Sequence, residues 1–99
     1  MHQWCQRLKV MNLNFLKNKT LLITGGTGSL GNALINSILK QKILLKRLII
    51  FSRDEFKQFE MQKKFPENKY KFLRYFLGDV RDENRLNLAF RSVDYVIHA

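Results

Sequence analysis

Apolar and polar positions along the chain switch between a strand-like run and a helix-like period of three to four residues. Leu21 to Ile23 form a short apolar run, predicting a strand over Thr20–Thr24. From Ser29 to Lys42, Leu30, Ala33, Leu34 and Ile38 recur at offsets of three, four and eight, which predicts an amphipathic helix. Arg47–Phe51 is again apolar, of the kind buried on both faces of a parallel sheet. Ser52-Arg53-Asp54-Glu55 then reads as a capping box, with Ser52 at N-cap and Glu55 at N3. The helix it opens is expected to bury Phe56, Phe59 and the stem of Lys63, and to end near Phe65 because Pro66 cannot continue it. A third strand over Lys71–Leu77 stops at Gly78-Asp79, a third helix covers Asp82–Phe90, and Asp94–His98 makes a fourth strand.

The order is βαβαβαβ with short connections. Right-handed crossovers arrange it as an α/β fold, the N-terminal half of a Rossmann-type doubly wound parallel sheet with strand order 3-2-1-4. A complete dinucleotide fold needs further strands, so the pattern is expected to be truncated at the tip of a central strand. The fourth strand is then expected to be an unpaired edge, prone to self-association, in a fragment of doubtful stability. Residues 1–18 are read as an N-terminal extension and 19–99 as the partial NAD(P)-binding domain. In the extension, Trp4, Leu8, Met11 and Phe15 fall at helical spacing among basic residues, and Met11 is an alternative translation start.

Composition changes this picture little. The chain has 99 residues, 45% of them hydrophobic, which is enough for one small core. The formal net charge is +10, yet four of the 18 basic residues lie in residues 1–19 and the others are scattered among acids. No basic block or reader motif accompanies them, so no nucleic-acid partner is expected. No apolar run approaches a membrane span and no signal-peptide core is present, so no membrane partner is expected either. One cysteine, Cys5, fits a reducing compartment, and the cytoplasm is the expected location. His2 and Cys5 lack a second ligand pair, and no metal site is expected.

The candidate chemistry lies in Thr24-Gly-Gly-Thr-Gly-Ser-Leu-Gly31, between the first strand and the first helix. Glycines there let backbone N–H groups approach a phosphate at a helix N-terminus. A Walker A loop fits poorly because no lysine follows the glycines. In a dinucleotide site Gly25 permits the tight turn, Gly28 lets the backbone approach the pyrophosphate, and Gly31 lets the helix pack on its strand. At the tip of the second strand, where NAD enzymes usually place a carboxylate, stand Ser52 and Arg53. The arginine fork suits a phosphate, which favours NADP; Asp54 next to it keeps NAD as the alternative.

The turn resembles that of the extended short-chain dehydrogenase/reductase superfamily. With Phe51-Ser-Arg-Asp-Glu-Phe-Lys-Gln58, Phe76-Leu-Gly-Asp-Val-Arg-Asp82 and Val93-Asp-Tyr-Val-Ile-His-Ala99, residues 18–99 resemble the N-terminal part of the inverting UDP-N-acetylglucosamine 4,6-dehydratases, in the polysaccharide-biosynthesis group. The resemblance implies cofactor contacts from Thr24, Gly25, Thr27, Gly28, Ser29, Leu30 and Gly31, and from Ser52, Arg53 and Asp54. It further implies that Asp79 and Val80 border the adenine and that His98 and Ala99 lie over the cofactor by their backbone. A UDP-sugar substrate, a homo-oligomeric parent protein and a dehydratase activity follow from it as expectations. Such enzymes use a Tyr-x3-Lys pair; here Tyr70 precedes Arg74, Tyr75 precedes Asp79 and Tyr95 precedes Ala99. No catalytic residue is therefore assigned, and the chain itself is expected to be inactive. A related reductase or epimerase, and a non-catalytic dinucleotide-binding module, remain the alternatives.

Overall fold

The computed structural model describes residues 12–25 and 27–98. The expectations for Trp4, Leu8, Met11, His2, Cys5 and Ala99 lie outside the described residues. The elements are β1 (Thr20–Thr24), α1 (Ser29–Gln41), β2 (Arg47–Ser52), α2 (Glu55–Lys64), β3 (Leu73–Leu77), α3 (Glu83–Ala89) and β4 (Tyr95–His98), preceded by a 3-10 turn at Asn14–Leu16. The strands form one sheet in the order β3-β2-β1-β4, as the pattern predicts. Every pairing is parallel, with Ile23 beside Ile50 and Ile97, and Ile50 beside Tyr75.

Successive residues of the central strands face opposite sides, and each side has its own apolar layer. Leu21, Ile23, Leu48 and Ile50 join Leu34, Ile35, Ile38, Met61 and Phe65 in the larger cluster, beneath α1 and α2. Leu22, Ile49 and Phe51 join Ala89 in the smaller one, with Leu86 of α3 packed against it. This two-sided burial is why β1 and β2 read as continuous apolar runs rather than alternating ones. Leu13 and Leu16 are also in the larger cluster, at 1% and 2% exposure. Part of the stretch read as an extension thus packs on the core, because two leucines three apart on the 3-10 turn share one side.

Local termini match chemistry to geometry. Lys42 takes a left-handed conformation (φ 56°) and its N–H donates to the Ile38 and Leu39 carbonyls, closing α1. Asp94 ties β4 to β1 twice: its N–H donates to Thr20 O, and its carboxylate accepts from Thr20 N–H, each at 2.8 Å.

The second helix corrects the sequence reading in two ways. Ser52 is not its N-cap but the last residue of β2, paired with Leu77. Asp54 is the cap, its Oδ1 accepting from Lys57 N–H at 3.0 Å, while Ser52 Oγ accepts from Asp54 N–H at 3.0 Å. Glu55 is consequently the first helical residue. Phe56 and Phe59 are not buried; they are 71% and 56% exposed, and Lys63 lies over the Phe59 ring on that outer face. The buried positions are Gln58 and Met61, with Phe65 just beyond the helix. Gln58 sets this phase, because its side-chain amide donates to the carbonyls of Ser52 and Phe76 where β2 and β3 end.

Candidate dinucleotide site

Three strand tips meet at the C-terminal end of the sheet, which is where parallel α/β sheets bind ligands. They enclose an open cleft of about 670 Å³. Thr24, Gly25, Thr27 and Gly28 line it after β1; Phe51, Ser52, Arg53, Asp54 and Lys57 line it after β2; Gly78, Asp79, Val80 and Arg81 line it after β3. Nine of the residues singled out from the sequence thus share one cavity. Ser29, Leu30 and Gly31 are in the first turn of α1 behind the cleft, Gly31 buried and Leu30 packed on the larger core cluster. His98 is at the end of β4, its Nδ1 2.8 Å from Thr24 Oγ1, so it stands beside β1 rather than in the cleft lining.

The glycine turn is built as a cradle. Gly25 has φ 68°, which an L side chain tolerates poorly, and its N–H donates to Phe51 O at 2.8 Å. Gly28 is the N-cap of α1 and, being a glycine, makes no side-chain cap there. A Cβ built on Gly28 would meet nothing within 4 Å, so the space over it is open. Asn32 holds the turn from behind, its Nδ2 donating to Gly28 O at 3.0 Å. Thr27 Oγ1 lies 3.4 Å from Ser52 Oγ and links the turn to the tip of β2. A glycine at the helix N-terminus with open space over it fits a pyrophosphate.

Charge concentrates on the opposite wall. Asp79 Oδ2 is 2.7 Å from Arg81 Nη2 and 3.6 Å from Arg53 Nη1. Arg81 Nε donates to both Asp79 oxygens at 3.2 Å, and Arg81 N–H donates to Oδ1 at 2.9 Å. Hydrogen bonds from the Arg81 side chain and backbone, then the charges of Arg81 and Arg53, hold the Asp79 carboxyl well below the usual carboxylate range. It is ionised throughout the neutral and mildly acidic range.

Sequence reasoning did not single out Phe51, Lys57, Gly78 or Arg81 as site residues. A signal exists for Arg81, which stands two residues after Asp79, the spacing of an Asp side chain bonded to a backbone N–H further on. Lys57 carries only its place in the first turn of α2, opposite the glycines. Among the described residues the tyrosines lie away from the cleft. Tyr75 donates its hydroxyl to Phe65 O at 2.7 Å, Tyr70 stacks edgewise on Phe65, and Tyr95 on Phe15. No described group of three or more His, Cys, Asp or Glu could hold a metal ion, and no described helix is long and apolar enough to cross a membrane.

Known proteins resemble this chain over most of its length. The UDP-N-acetylglucosamine 4,6-dehydratase (inverting) of Campylobacter jejuni is 52% identical over 81 residues, covering 82% of this chain and 23% of that protein. The UDP-glucose 4-epimerase of Rickettsia bellii is 50% identical over 84 residues, covering 83% and 24%. A solved structure, the X-ray structure of Pen from Bacillus thuringiensis, superposes with a TM-score of 0.74 at 35% identity, covering 86% of this chain and 25% of that one. The chain thus spans about a quarter of the length of these relatives. The family model described as polysaccharide biosynthesis protein matches residues 21–99, and the chain belongs to that family.

Proposed function

We propose that this chain binds NADP and supplies the cofactor cradle of a nucleotide-sugar 4,6-dehydratase acting on UDP-N-acetylglucosamine. The observation that carries the cofactor choice is Arg53, which reaches into the cleft at the tip of β2 with its guanidinium 3.6 Å from Asp79. In NAD sites a carboxylate at that tip accepts from the ribose 2′-hydroxyl. The carboxylate next to Arg53 in sequence, Asp54, already accepts from Lys57 N–H as a helix cap. A permanently charged fork beside an occupied carboxylate favours a phosphorylated ribose.

Gly25, Thr27 and Gly28 would hold the pyrophosphate, Ser52 and Arg53 the 2′-phosphate, and Asp79 and Val80 the adenine edge. A nicotinamide cofactor held by these residues would supply reversible hydride transfer. This chain's own residues bind and orient; none of its described tyrosines is placed to move a proton in the cleft. We therefore expect binding without turnover from the 99 residues alone. The substrate rests on the similarity to the Campylobacter dehydratase. The similarity to the Rickettsia epimerase, at 50% identity, favours a second reading, UDP-hexose epimerisation in the whole protein. Both use the same cradle, and product analysis of the full-length protein with UDP-N-acetylglucosamine and UDP-glucose separates them.

The cofactor assignment is tested by titrating NADP and NAD against wild type and Arg53→Ala. A charge-assisted hydrogen bond corresponds to about 10- to 150-fold in affinity, and exposure of this arginine moves the expected loss to the lower part of that range. The loss should fall on NADP and spare NAD. Indistinguishable NADP curves for the two proteins would remove Arg53 from the site.

A further inference from the structure

We infer that Arg81 is a second specificity-determining residue, which together with Arg53 forms a two-arginine clamp for the 2′-phosphate. The inference rests on the NADP reading and assigns a role to a residue which that reading leaves unused. Two guanidiniums from different elements converge on one oxygen. Arg53 arrives from the tip of β2 and Arg81 from the turn after β3, at 3.6 and 2.7 Å from Asp79 Oδ2. Both side chains are largely exposed, at 72% and 78%, and both line the cleft. An arrangement in which two forks reach one anionic oxygen is what a phosphate dianion needs from its protein partners.

The contacts are unequal, and the inequality gives each residue a part. Arg81 is fixed to Asp79 by its backbone N–H and by Nε and Nη2, so its guanidinium plane is set before any ligand arrives. Among the described residues its Nη1 has no bond and is available to an incoming oxygen. Arg53 has one long contact to the same carboxylate, so it can leave Asp79 for a phosphate at little cost. Asp79 thus keeps two like charges close together in the empty cleft and yields Arg53 when a stronger anion enters. A ribose with a free 2′-hydroxyl gives neither arginine a charge to meet.

The test is calorimetric titration of the chain with adenosine 2′,5′-bisphosphate and with ADP, which differ at the 2′ position. Arg81→Gln should weaken the bisphosphate by about 5- to 30-fold, below a fully buried charge-assisted bond because the site is exposed. ADP affinity should stay within about twofold, which also shows that the variant is folded. Arg53→Ala and Arg81→Gln together should lose less than the product of the two single losses, since both act on one group. Equal losses for both ligands, or none with Arg81→Gln while Arg53→Ala loses its preference, overturn the clamp and leave the NADP reading intact. A wild-type chain that binds ADP as tightly as the bisphosphate overturns both.

Discussion

Gly28 and Gly78 both line the cleft, and a methyl group would do different things at each. At Gly28 a Cβ meets nothing within 4 Å, and φ −91° is open to any residue. Gly28→Ala should leave urea stability within about 0.5 kcal/mol of wild type while filling the open space where we propose a pyrophosphate, so dinucleotide affinity should fall. At Gly78 a Cβ would stand 2.7 Å from Arg85 Cγ and 3.0 Å from the buried Phe51 ring. The arginine can move but the ring cannot move freely, so Gly78→Ala should destabilise by about 1–3 kcal/mol, as overpacking does. Urea melts with parallel binding curves separate the two effects. Tyr75 offers a pH test. Burial, with the Glu67 carboxylate adding to it, pushes its phenol up to about 12. A raised folded pKa stabilises the protein below the unfolded value near 10 and loses that contribution as pH climbs through the folded value. Stability should therefore fall between about pH 10 and 12, and Tyr75→Phe should show a shallower fall in paired urea melts at pH 9 and 11.5.

At the level of elements, α2 shows how a correct helix can be read in the wrong phase. Its existence follows from Pro66 behind it and polar residues ahead of it. Its buried face does not, because phenylalanines and a methionine lie on different sides and either could face the sheet. Gln58 decides: its amide bonds two strand-end carbonyls that no local pattern brings together. The cap has the same origin, since Ser52 could cap a helix only if β2 ended one residue earlier. With Asp54 as the cap, Asp54→Ala should cost about 0.5–2 kcal/mol in urea unfolding. A loss that appears instead with Ser52→Ala alone would return the cap to the serine. Much of the site was legible because it consists of residues at strand tips, where glycine and charge punctuate apolar runs. Arg81 and Lys57 were not, because their membership depends on how close the β3 turn and the first turn of α2 come to the glycines.

Across the whole molecule the sheet has a closed centre and two dissimilar borders. Ile50 is fully buried in β2, flanked by Ile23 and Tyr75. Ile50→Ala should cost about 2–5 kcal/mol, comparable with the whole stability of a small domain, and chemical denaturation should show a much lower midpoint or no native baseline. On the outer side of β3, side chains occupy the backbone: Glu67 accepts from Tyr75 N–H, Arg74 donates to Leu73 O and Arg85 to Leu77 O. Such occupied groups discourage strand addition. Beside β1, β4 presents Tyr95 and Val96 at 41% exposure each. The order of elements, the parallel sheet and the glycine turn can be read from the residues alone, because periodicity, glycine conformation and crossover handedness act over a few neighbouring residues. The phase of α2, the burial of Leu13 and Leu16, and the meeting of Arg53 and Arg81 on one carboxylate oxygen emerge with the packed fold. Each of those depends on the distance between segments remote in sequence, and that distance is set by packing rather than by any local pattern.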